Sequence, residues 1–279
     1  MVTNFMVGKK PTGDITQIPH DAVELLNLHK YGLVGLSGLD RPDADVSRSA
    51  LAGMNASRMY GSQVAERNIV MTLRPWINPD VFRQELYDIL PFNTDLRFYI
   101  ATENRYVFID GRIEKLGGGD FSRKVSDIQI SILCPFPWFQ SVELHTMKLV
   151  VGENTIRYSG DVPAGWELDV PAQASPPLIG AVGDLSVEIG RETFAYSGNV
   201  SIPYICTIPS KRAFDGYRTA SSGPTASTRA PAFGSLVEGS EWPLITRDTT
   251  TVTVSCSDAT QEFFEKQNVF TYRDTYSGV

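Results

Sequence analysis

The segment Ile128-Gln-Ile-Ser-Ile-Leu-Cys134-Pro-Phe-Pro-Trp-Phe139 alternates apolar and polar residues and then changes to prolines and aromatic residues. Its three isoleucines fall on one side of an extended chain, which predicts a half-buried strand. Proline cannot donate to a β-ladder and biases its predecessor towards extended conformations, so the two prolines end this strand. We therefore predict a domain boundary here, with a first domain over residues 1–139 and a second over residues 140–279.

The length and charge of the chain fit this division. A chain of 279 residues corresponds to about two domains of ordinary size, and 42% hydrophobic residues suffice for buried cores. Residues 1–139 carry a net charge of −1 and residues 140–279 carry −6, within a total of −7. Because neither half has the basic excess that attracts phosphates, we predict no nucleic-acid partner.

Upstream of the boundary the sequence predicts one helix. Asn78 can cap its first turn, Pro79 suits its first position and Asp80 favours the positive end of the helix dipole. Apolar residues follow at helical spacing as far as Leu90, and Pro91 stops the run. Further strands are predicted at 126–133 and on either side of a short turn within Leu96–Ile113, giving the order β-β-α-β-β-β.

A half-buried strand is predicted over residues 64–73, before the helix. Ile69, Met71 and Leu73 alternate on one face, whereas Arg67 is expected mostly elsewhere.

The stretches closer to the N-terminus give weaker signals. Ala22–Leu39 contains three glycines that disfavour a long helix, so we expect short strands and turns there. Arg41–Asp45 is predicted to be a loop from its proline and aspartates, and Gly53–Gly61 an irregular stretch.

Beyond Phe139 the sequence contains many short strand-like runs separated by turn residues. This punctuation is typical of a β-sandwich or jelly roll, so the predicted fold class of the chain is mainly β. The runs lie at 148–151, 155–158, 165–170, 177–179, 185–189, 200–208 and 249–255. The segment 219–232, rich in Ser, Thr, Ala and Pro, has too few large apolar residues to be buried and is predicted to be a mobile surface loop.

Residue types that could carry catalysis or bind a metal are few and scattered. The three cysteines are far apart, so buried free thiols are expected, and the histidines lack the spacing of a metal pair. These residues are Cys134, Cys206, Cys256, His20, His29 and His145. Asp43 and Asp45 are expected to be solvated, and Gly117–Gly119 to form a turn. We therefore predict no enzyme activity and no catalytic, cofactor-binding or metal-binding residue.

Targeting signals are also missing from the sequence as given. The N-terminal stretch has no apolar run preceded by positive charge. No stretch approaches the roughly 20 apolar residues of a membrane span. We expect folding in a cytoplasm and no membrane span.

Four segments of the first domain occur in an order that resembles a known family. They are Glu66-Arg-Asn-Ile-Val-Met-Thr-Leu73, the capped helix Asn78–Leu90, Val107-Phe-Ile-Asp-Gly-Arg-Ile-Glu114 and the opening segment Ile128–Phe139. A strand, a helix, a hairpin strand and a last strand that closes on Cys-Pro and aromatic residues resemble the distal tail proteins of long-tailed phages.

The second half is similar to the galectin-like domain of that family. The similar segments are Asn154–Gly165, Pro176–Gly180, Phe233–Leu244 and Phe270–Val279. The segment 219–232 and the run Glu241-Trp-Pro-Leu-Ile-Thr246 depart from the family pattern. The resemblance implies an N-terminal β-sandwich-like domain with one helix and a hairpin, followed by a galectin-like β-sandwich.

The function implied by this resemblance is structural. The first domain would form a homohexameric ring that joins the tail tube protein to the tail-tip hub or fibre protein that recognises the host. The implied location is the tail tip of the virion, after assembly in the host cytoplasm. Because edge strands of β-hairpins can pair with a neighbour, we expect Leu96–Ile113 to contribute to the subunit contact.

A carbohydrate-binding adhesin is the alternative reading. Trp166, Trp242, Tyr196 and Tyr204 could form a sugar-stacking platform, although aromatic residues of β-sandwiches are more often core residues. A pure lectin gives no reason for the helix and hairpin of the first domain, whereas a ring protein does. The sequence leaves open whether the second domain contacts a glycan.

Overall fold

The structure is a computed structural model that divides the chain into two compact units. It describes residues 2–11, 17–26, 31–50, 57–76, 78–118, 127–170, 184–196, 205–209, 221–223, 230–231, 238, 243–257 and 261–279. Unit 1 comprises Met1–Val142 and Tyr276–Val279, and unit 2 comprises Glu143–Thr275.

These units differ from the predicted domains 1–139 and 140–279 in two places. Unit 1 continues to Val142 because a short strand at Phe139–Ser141 pairs with residues 107–108, and Phe139 is fully buried in the core of unit 1. The last four residues also belong to unit 1, where Tyr276 joins the same core. Unit 2 is therefore inserted between two segments of unit 1.

Unit 1 is built from antiparallel strands and one helix. They are β1 (Val2–Lys9), β2 (Val23–Glu24), β3 (Tyr31–Ser37), β4 (Ala44–Ala50), β5 (Ser57–Val64), β6 (Arg67–Pro75), α1 (Pro79–Ile89), β7 (Leu96–Thr102), β8 (Tyr106–Gly117), β9 (Ile128–Cys134) and β10 (Phe139–Ser141). The main path of the sheet runs β2-β1-β7-β8-β9-β6-β3, and β10 pairs with β8 beside it.

The long strand β8 belongs to both halves of this sheet. Its first part pairs with β7 and its second part with β9, and the register shifts between Ile113 and Lys115. Such a bulge bends a strand and increases its twist. The buried side chains of β1, β6, β7, β9 and α1 consequently share one core, which includes Phe5, Met71 and Phe98.

Helix α1 confirms the predicted helix. The side-chain oxygen of Asn78 accepts a hydrogen bond from the backbone N–H of Asp80 at 2.9 Å, and Pro79 occupies the first turn. The helix ends at Ile89, shortly before Pro91. Phe82 and Leu86, spaced four residues apart, lie in the core of the unit.

The pair of strands β4 and β5 corrects the prediction for the stretch before the helix. They pair from Ala44↔Val64 to Ala50↔Ser57, although 41–45 was predicted as a loop and 53–61 as irregular. The predicted strand 64–73 consists of parts of two strands, because β5 ends at Val64 and β6 begins at Arg67. A strand without a buried face shows no apolar alternation, and this is why the pattern did not reveal them.

Unit 2 is a β-sandwich with a short helix. Its elements are β11 (His145–Met147), β12 (Gly152–Thr155), β13 (Trp166–Val170), β14 (Leu185–Ile189), β15 (Glu192–Tyr196), β16 (Ile205–Pro209), β17 (Ser221–Gly223), β18 (Ala230–Pro231), β19 (Thr251–Ser255), α2 (Gln261–Gln267), β20 (Val269–Tyr272) and β21 (Thr275–Tyr276), whose second residue belongs to unit 1. The sheets run β11-β20-β13-β16-β17-β18 and β12-β19-β14-β15. Trp166 of the first sheet meets Phe194 of the second, edge to face at 6.4 Å between ring centroids, within one core.

Most of the predicted strands of this half are confirmed. The runs 165–170, 185–189 and 249–255 contain β13, β14 and β19, and 200–208 contains β16 from residue 205 onwards. The strands predicted at 148–151 and 155–158 are wrong, apart from Thr155, which ends β12. The side-chain amide of Asn154 accepts from the backbone N–H of Val150 and donates to its carbonyl, both at 2.8 Å, and so closes a turn before β12. The run 177–179 lies outside the described residues.

The segment 219–232 also differs from its prediction as a loop. Ser221–Gly223 forms β17, which pairs with β16, and Ala230–Pro231 forms β18, which pairs with β17. Short polar strands of this kind lack the large apolar residues by which the sequence argument recognised strands. The other residues of the segment lie outside the described ranges.

Candidate assembly surface

The hairpin formed by β4 and β5, called the free hairpin below, extends from unit 1 as a separate two-stranded sheet. Each of its side chains that the structure describes is exposed, including Val46 at 45% and Met59 at 72%. Its base is closed by a hydrogen bond from the backbone N–H of Ala65 to the carbonyl of Asp43 at 3.1 Å. A two-stranded hairpin with both faces in water is marginally stable at best. The free hairpin therefore presents two uncovered faces to a partner.

The strand that leads into the free hairpin is an edge strand. Within the described part of the chain, β3 pairs only with β6, and its sequence Tyr31–Ser37 contains no charged residue. Val34 is 50% exposed, and the indole of Trp76 is 63% exposed while it covers Gly32, where a Cβ would come within 2.9 Å of the ring. Exposed apolar edges are templates for pairing with another chain. The edge of β3 and the free hairpin, which follow each other in the sequence, together make up the candidate surface.

The hairpin predicted to form the subunit contact lies inside the sheet instead. Strand β7 is paired on both sides, with β1 and β8, and β8 is paired with β7, β9 and β10. Phe98 and Val107 are fully buried in the core. The strands of Leu96–Ile113 are thus paired within unit 1, which contradicts the free edge on which this prediction was based. A contribution of the hairpin to a subunit contact stays a prediction.

Cys134 is buried in the core of unit 1, as predicted. Burial raises the pKa of its thiol to about 12, against a smaller opposing effect of the nearby Arg67. A thiol with so high a pKa is a poor nucleophile near neutral pH, because the thiolate is the reactive form. Cys256 is partly buried, and the side chain of Cys206 lies outside the described residues.

His145 is a satisfied polar residue in unit 2, as predicted. Its Nε2 lies 3.1 Å from Oδ2 of Asp274, and its ring stacks on Tyr272 at 4.7 Å. The hydroxyl of Ser159 donates to the same carboxylate at 2.7 Å. The hydroxyl of Ser159 and the imidazole of His145 thus bond the same carboxylate, whereas in a catalytic triad the serine hydroxyl bonds the histidine. Asp274 therefore holds two neighbouring segments together.

The charge of Asp274 is stabilised by these contacts. Burial alone raises the pKa of the carboxyl, but the hydrogen bonds from the hydroxyl and backbone N–H of Ser159 and from His145 outweigh burial. The pKa of Asp274 consequently lies below its ordinary value.

The remaining candidate residues fall at scattered places. His20, Asp43 and Asp45 are exposed, Gly118 turns the chain after β8 with a φ of 105°, and His29 lies outside the described residues. Among the side chains that the structure describes, no three His, Cys, Asp or Glu residues are grouped as a metal site would require. None of the helices within the described ranges has the length and apolar character to cross a membrane.

The aromatic residues of the alternative sugar platform are not brought together in the described part of unit 2. Trp166 is fully buried, and its indole N–H donates to the carbonyl of Pro243 at 2.9 Å. Trp242, Tyr204 and the side chain of Tyr196 lie outside the described residues. Trp166 is therefore a core residue, the more common role of an aromatic side chain in a β-sandwich.

Solved structures show what this architecture is similar to. The crystal structure of the Dit protein (gp 19.1) of phage SPP1, a paradigm of the hub adsorption apparatus in phages that infect Gram-positive hosts, matches with a TM-score of 0.68 at 10% identity, over 97% of this chain and 98% of that chain. The chain has the fold of a phage distal tail protein.

Two structures of the baseplate of one phage also contain a chain of similar fold. The activated baseplate of phage P2 with Ca matches over the full length of both chains, and the one with Sr over 99% of each, both with a TM-score of 0.52 at 11% identity. No family model and no curated protein matches the sequence. The predicted resemblance and the mainly β fold class are thus confirmed at the level of the fold.

The sequence of the free hairpin carries only a weak signal of its structure. Residues 44–50 and 57–64 flank a short connection and are rich in Ser, Arg and small residues. Polar runs on both sides of a turn also occur in ordinary loops, so composition alone does not separate the two cases. In the structure this stretch is a pair of strands, and the exposure of its described side chains distinguishes it from the other strands of unit 1.

Proposed function

We propose that this protein is a structural component of a phage tail tip, in which six copies form a ring that connects the tail tube to the host-recognition apparatus. Unit 1 forms the ring, and unit 2 is a galectin-like β-sandwich. The tail tube protein contacts one face of the ring and a tail-tip hub or fibre protein the other. The ring assembles in the host cytoplasm and is located at the tail tip of the virion.

The observation that carries this proposal is the free hairpin with its neighbouring edge strand β3. Both expose apolar side chains and backbone edges that isolated proteins normally protect with charges, prolines or covering loops. Val34, Val46 and Met59 are at least 45% exposed along this surface. A second copy of the chain is the partner that a homo-oligomeric ring supplies.

The arrangement of the sheet supports a ring rather than a two-fold dimer. Its path ends in β3 on one side and in β2 on the other, so the two edges differ in length and sequence. A contact that joins two different surfaces is heterologous and can repeat around a closed ring. In the proposed contact, β3 and the free hairpin of one subunit lie against the β2 side of the next, where Val23 is 39% exposed.

The mass of the protein in solution tests this proposal. We expect native mass spectrometry to give six times the chain mass of 30.8 kDa, and negative-stain electron microscopy to show rings with an open centre. A monomer at high protein concentration would contradict the proposal. A monomer that binds on a glycan array would favour the carbohydrate-binding adhesin instead.

A further inference from the structure

The guanidinium of Arg67 lies at the point where the base of the free hairpin meets the end of unit 1. Arg67 is 3% exposed and donates to four backbone carbonyls: Gly38 at 2.6 Å, Asp40 at 2.5 Å, Pro137 at 2.7 Å and Ser277 at 2.7 Å. It also lies over the ring of Phe139, 4.4 Å from the centroid. Carbonyl oxygens thus replace the water that this buried cation has lost.

These carbonyls come from segments that are far apart in the sequence. Gly38–Arg41, called the hairpin root below, is the first part of the connection from β3 to the free hairpin, and Pro137 follows β9. Ser277 belongs to Tyr276–Val279, called the strap below, which follows the whole of unit 2. Burial lowers the pKa of Arg67, but the ordinary pKa of arginine is so high that the side chain stays charged at physiological pH. A charged donor with a fixed fork geometry therefore holds root and strap together.

The strap also contacts the hairpin root directly. The backbone N–H of Val279 donates to the carbonyl of Leu39 at 3.2 Å, and Nε of Arg41 donates to the hydroxyl of Ser277 at 3.4 Å. A Cβ at Gly278 would come within 3.2 Å of the Leu39 carbonyl, so the two segments are in close contact.

A second arginine also contacts the strap. Arg105 donates to the carbonyl of Gly278 at 3.1 Å, and its guanidinium lies over the ring of Tyr276 at 4.4 Å. Tyr276 itself is buried in the core of unit 1. The strap is thus anchored in unit 1 and packs against the hairpin root.

We propose that Arg67 and the strap fix the hairpin root, so that the free hairpin takes up its assembly geometry only after residues 276–279 have been synthesised. The assembly part of this inference rests on the proposed function. Before the strap arrives, one of the four carbonyl acceptors of Arg67 is missing and the root lacks its contact with Val279. Ring formation is thereby delayed until unit 2, which precedes the strap, has left the ribosome.

Amide hydrogen exchange of the full-length protein tests the contact with the root, and native mass spectrometry tests its effect on assembly. We expect a variant lacking residues 277–279, and Arg67→Met, to exchange about tenfold faster in peptides covering 38–46 and 60–66, with β7 and β9 still protected. We expect both variants to have lost the hexamer. Arg74→Met is the matched control, because Arg74 lies on the same strand but is 47% exposed and pairs with Asp127.

The outcomes separate the two proposals. Unchanged exchange at the root in the variant lacking residues 277–279 would overturn the role of the strap, whatever the oligomeric state. Faster exchange with an intact hexamer would overturn the link to assembly. A monomeric wild-type protein would contradict the proposed function, while the exchange data would still decide whether the strap fixes the root. If Arg67→Met does not fold, the shortened variant, which keeps Tyr276 in the core, decides alone.

Discussion

Arg97 and Asp110 form a bidentate ion pair directly across strands β7 and β8, at 2.6 and 3.0 Å, with side chains only 9% exposed. Nζ of Lys10 lies 3.5 Å from the same carboxylate. The guanidinium of Arg97 lies 3.9 Å from the ring centre of Phe108. The pair sits on the face of the sheet that turns away from the main core, beside the small cluster of Tyr99, Phe108 and Val142.

Removal of one partner of this ion pair is expected to lower the stability of the protein. Arg97→Met removes the bidentate partner of the buried carboxylate of Asp110, so we expect a loss of about 3 to 5 kcal/mol in the free energy of unfolding. The matched control is Arg112→Met, because the pair of Arg112 and Asp95 is more than half exposed and screened by water, so its loss should cost far less stability. Urea unfolding followed by circular dichroism measures both, and equal losses would contradict the prediction.

Because Phe98 is buried, its truncation is expected to destabilise the folded subunit and not only an assembly contact. Phe98→Ala removes a fully buried ring from the core of unit 1, so we expect a destabilisation of about 3 to 5 kcal/mol. Phe92→Ala is the matched control, since Phe92 is 53% exposed and its truncation should change stability by about 0.5 kcal/mol at most. A Phe98→Ala protein with wild-type stability in thermal unfolding would show that this hairpin is not part of the core.

A change on the free hairpin is expected to affect assembly and to leave the stability of the subunit unchanged. Val46→Asp changes a side chain that is 45% exposed, so we expect a protein of unchanged stability that no longer forms the hexamer. Val150→Asp in unit 2, at 49% exposure, is the control and should stay hexameric. Native mass spectrometry compares the two, and a hexameric Val46→Asp protein would remove the free hairpin from the proposed contact.

The thiol of Cys134 is expected to resist alkylation in the native protein. With its pKa raised to about 12 by burial, only about one thiol in three thousand is ionised at about pH 8.5. Mass spectrometry after iodoacetamide treatment, with and without urea, gives the modified fraction at this residue. Rapid modification of the native protein would show that the residue is accessible.

The contacts of Asp274 predict an acid sensitivity of unit 2. The pKa of Asp274 is lowered in the folded protein, so its contribution to stability is complete above the unfolded pKa of about 3.9. That contribution is lost as the pH falls through the lower folded-state pKa. We expect Asp274→Asn to lower the Tm at neutral pH and to flatten its fall below about pH 4. Glu153→Gln, at an exposed position, should follow the wild-type curve.

Local signals in the sequence were sufficient where an element buries one face. The cap at Asn78, the proline at 79 and the alternation of Ile69, Met71 and Leu73 each report on a neighbour within a few residues, and the structure confirms them. Arg67 departs from this logic. It lies on the same buried face as these apolar residues, although a charged residue was expected elsewhere.

Long-range pairings explain what the sequence could not provide. The carbonyls that permit the burial of Arg67 come from residues 38, 40, 137 and 277, and nothing in the local pattern links these positions. The strand β1 was missed for a related reason. Its core-facing residues Phe5 and Val7 alternate with Asn4 and Met6 over too short a stretch to stand out from the polar start of the chain.

The insertion of unit 2 between Val142 and Tyr276 gives it two covalent connections to unit 1. A protease that cuts one connection leaves unit 2 tethered by the other, so release requires two separate cleavages. Both connections leave unit 1 at neighbouring strands, since Phe139–Ser141 pairs with the strand that contains Tyr276. Because the two ends of the insertion are adjacent, recombination or protein engineering can replace unit 2 by another domain whose termini lie close together.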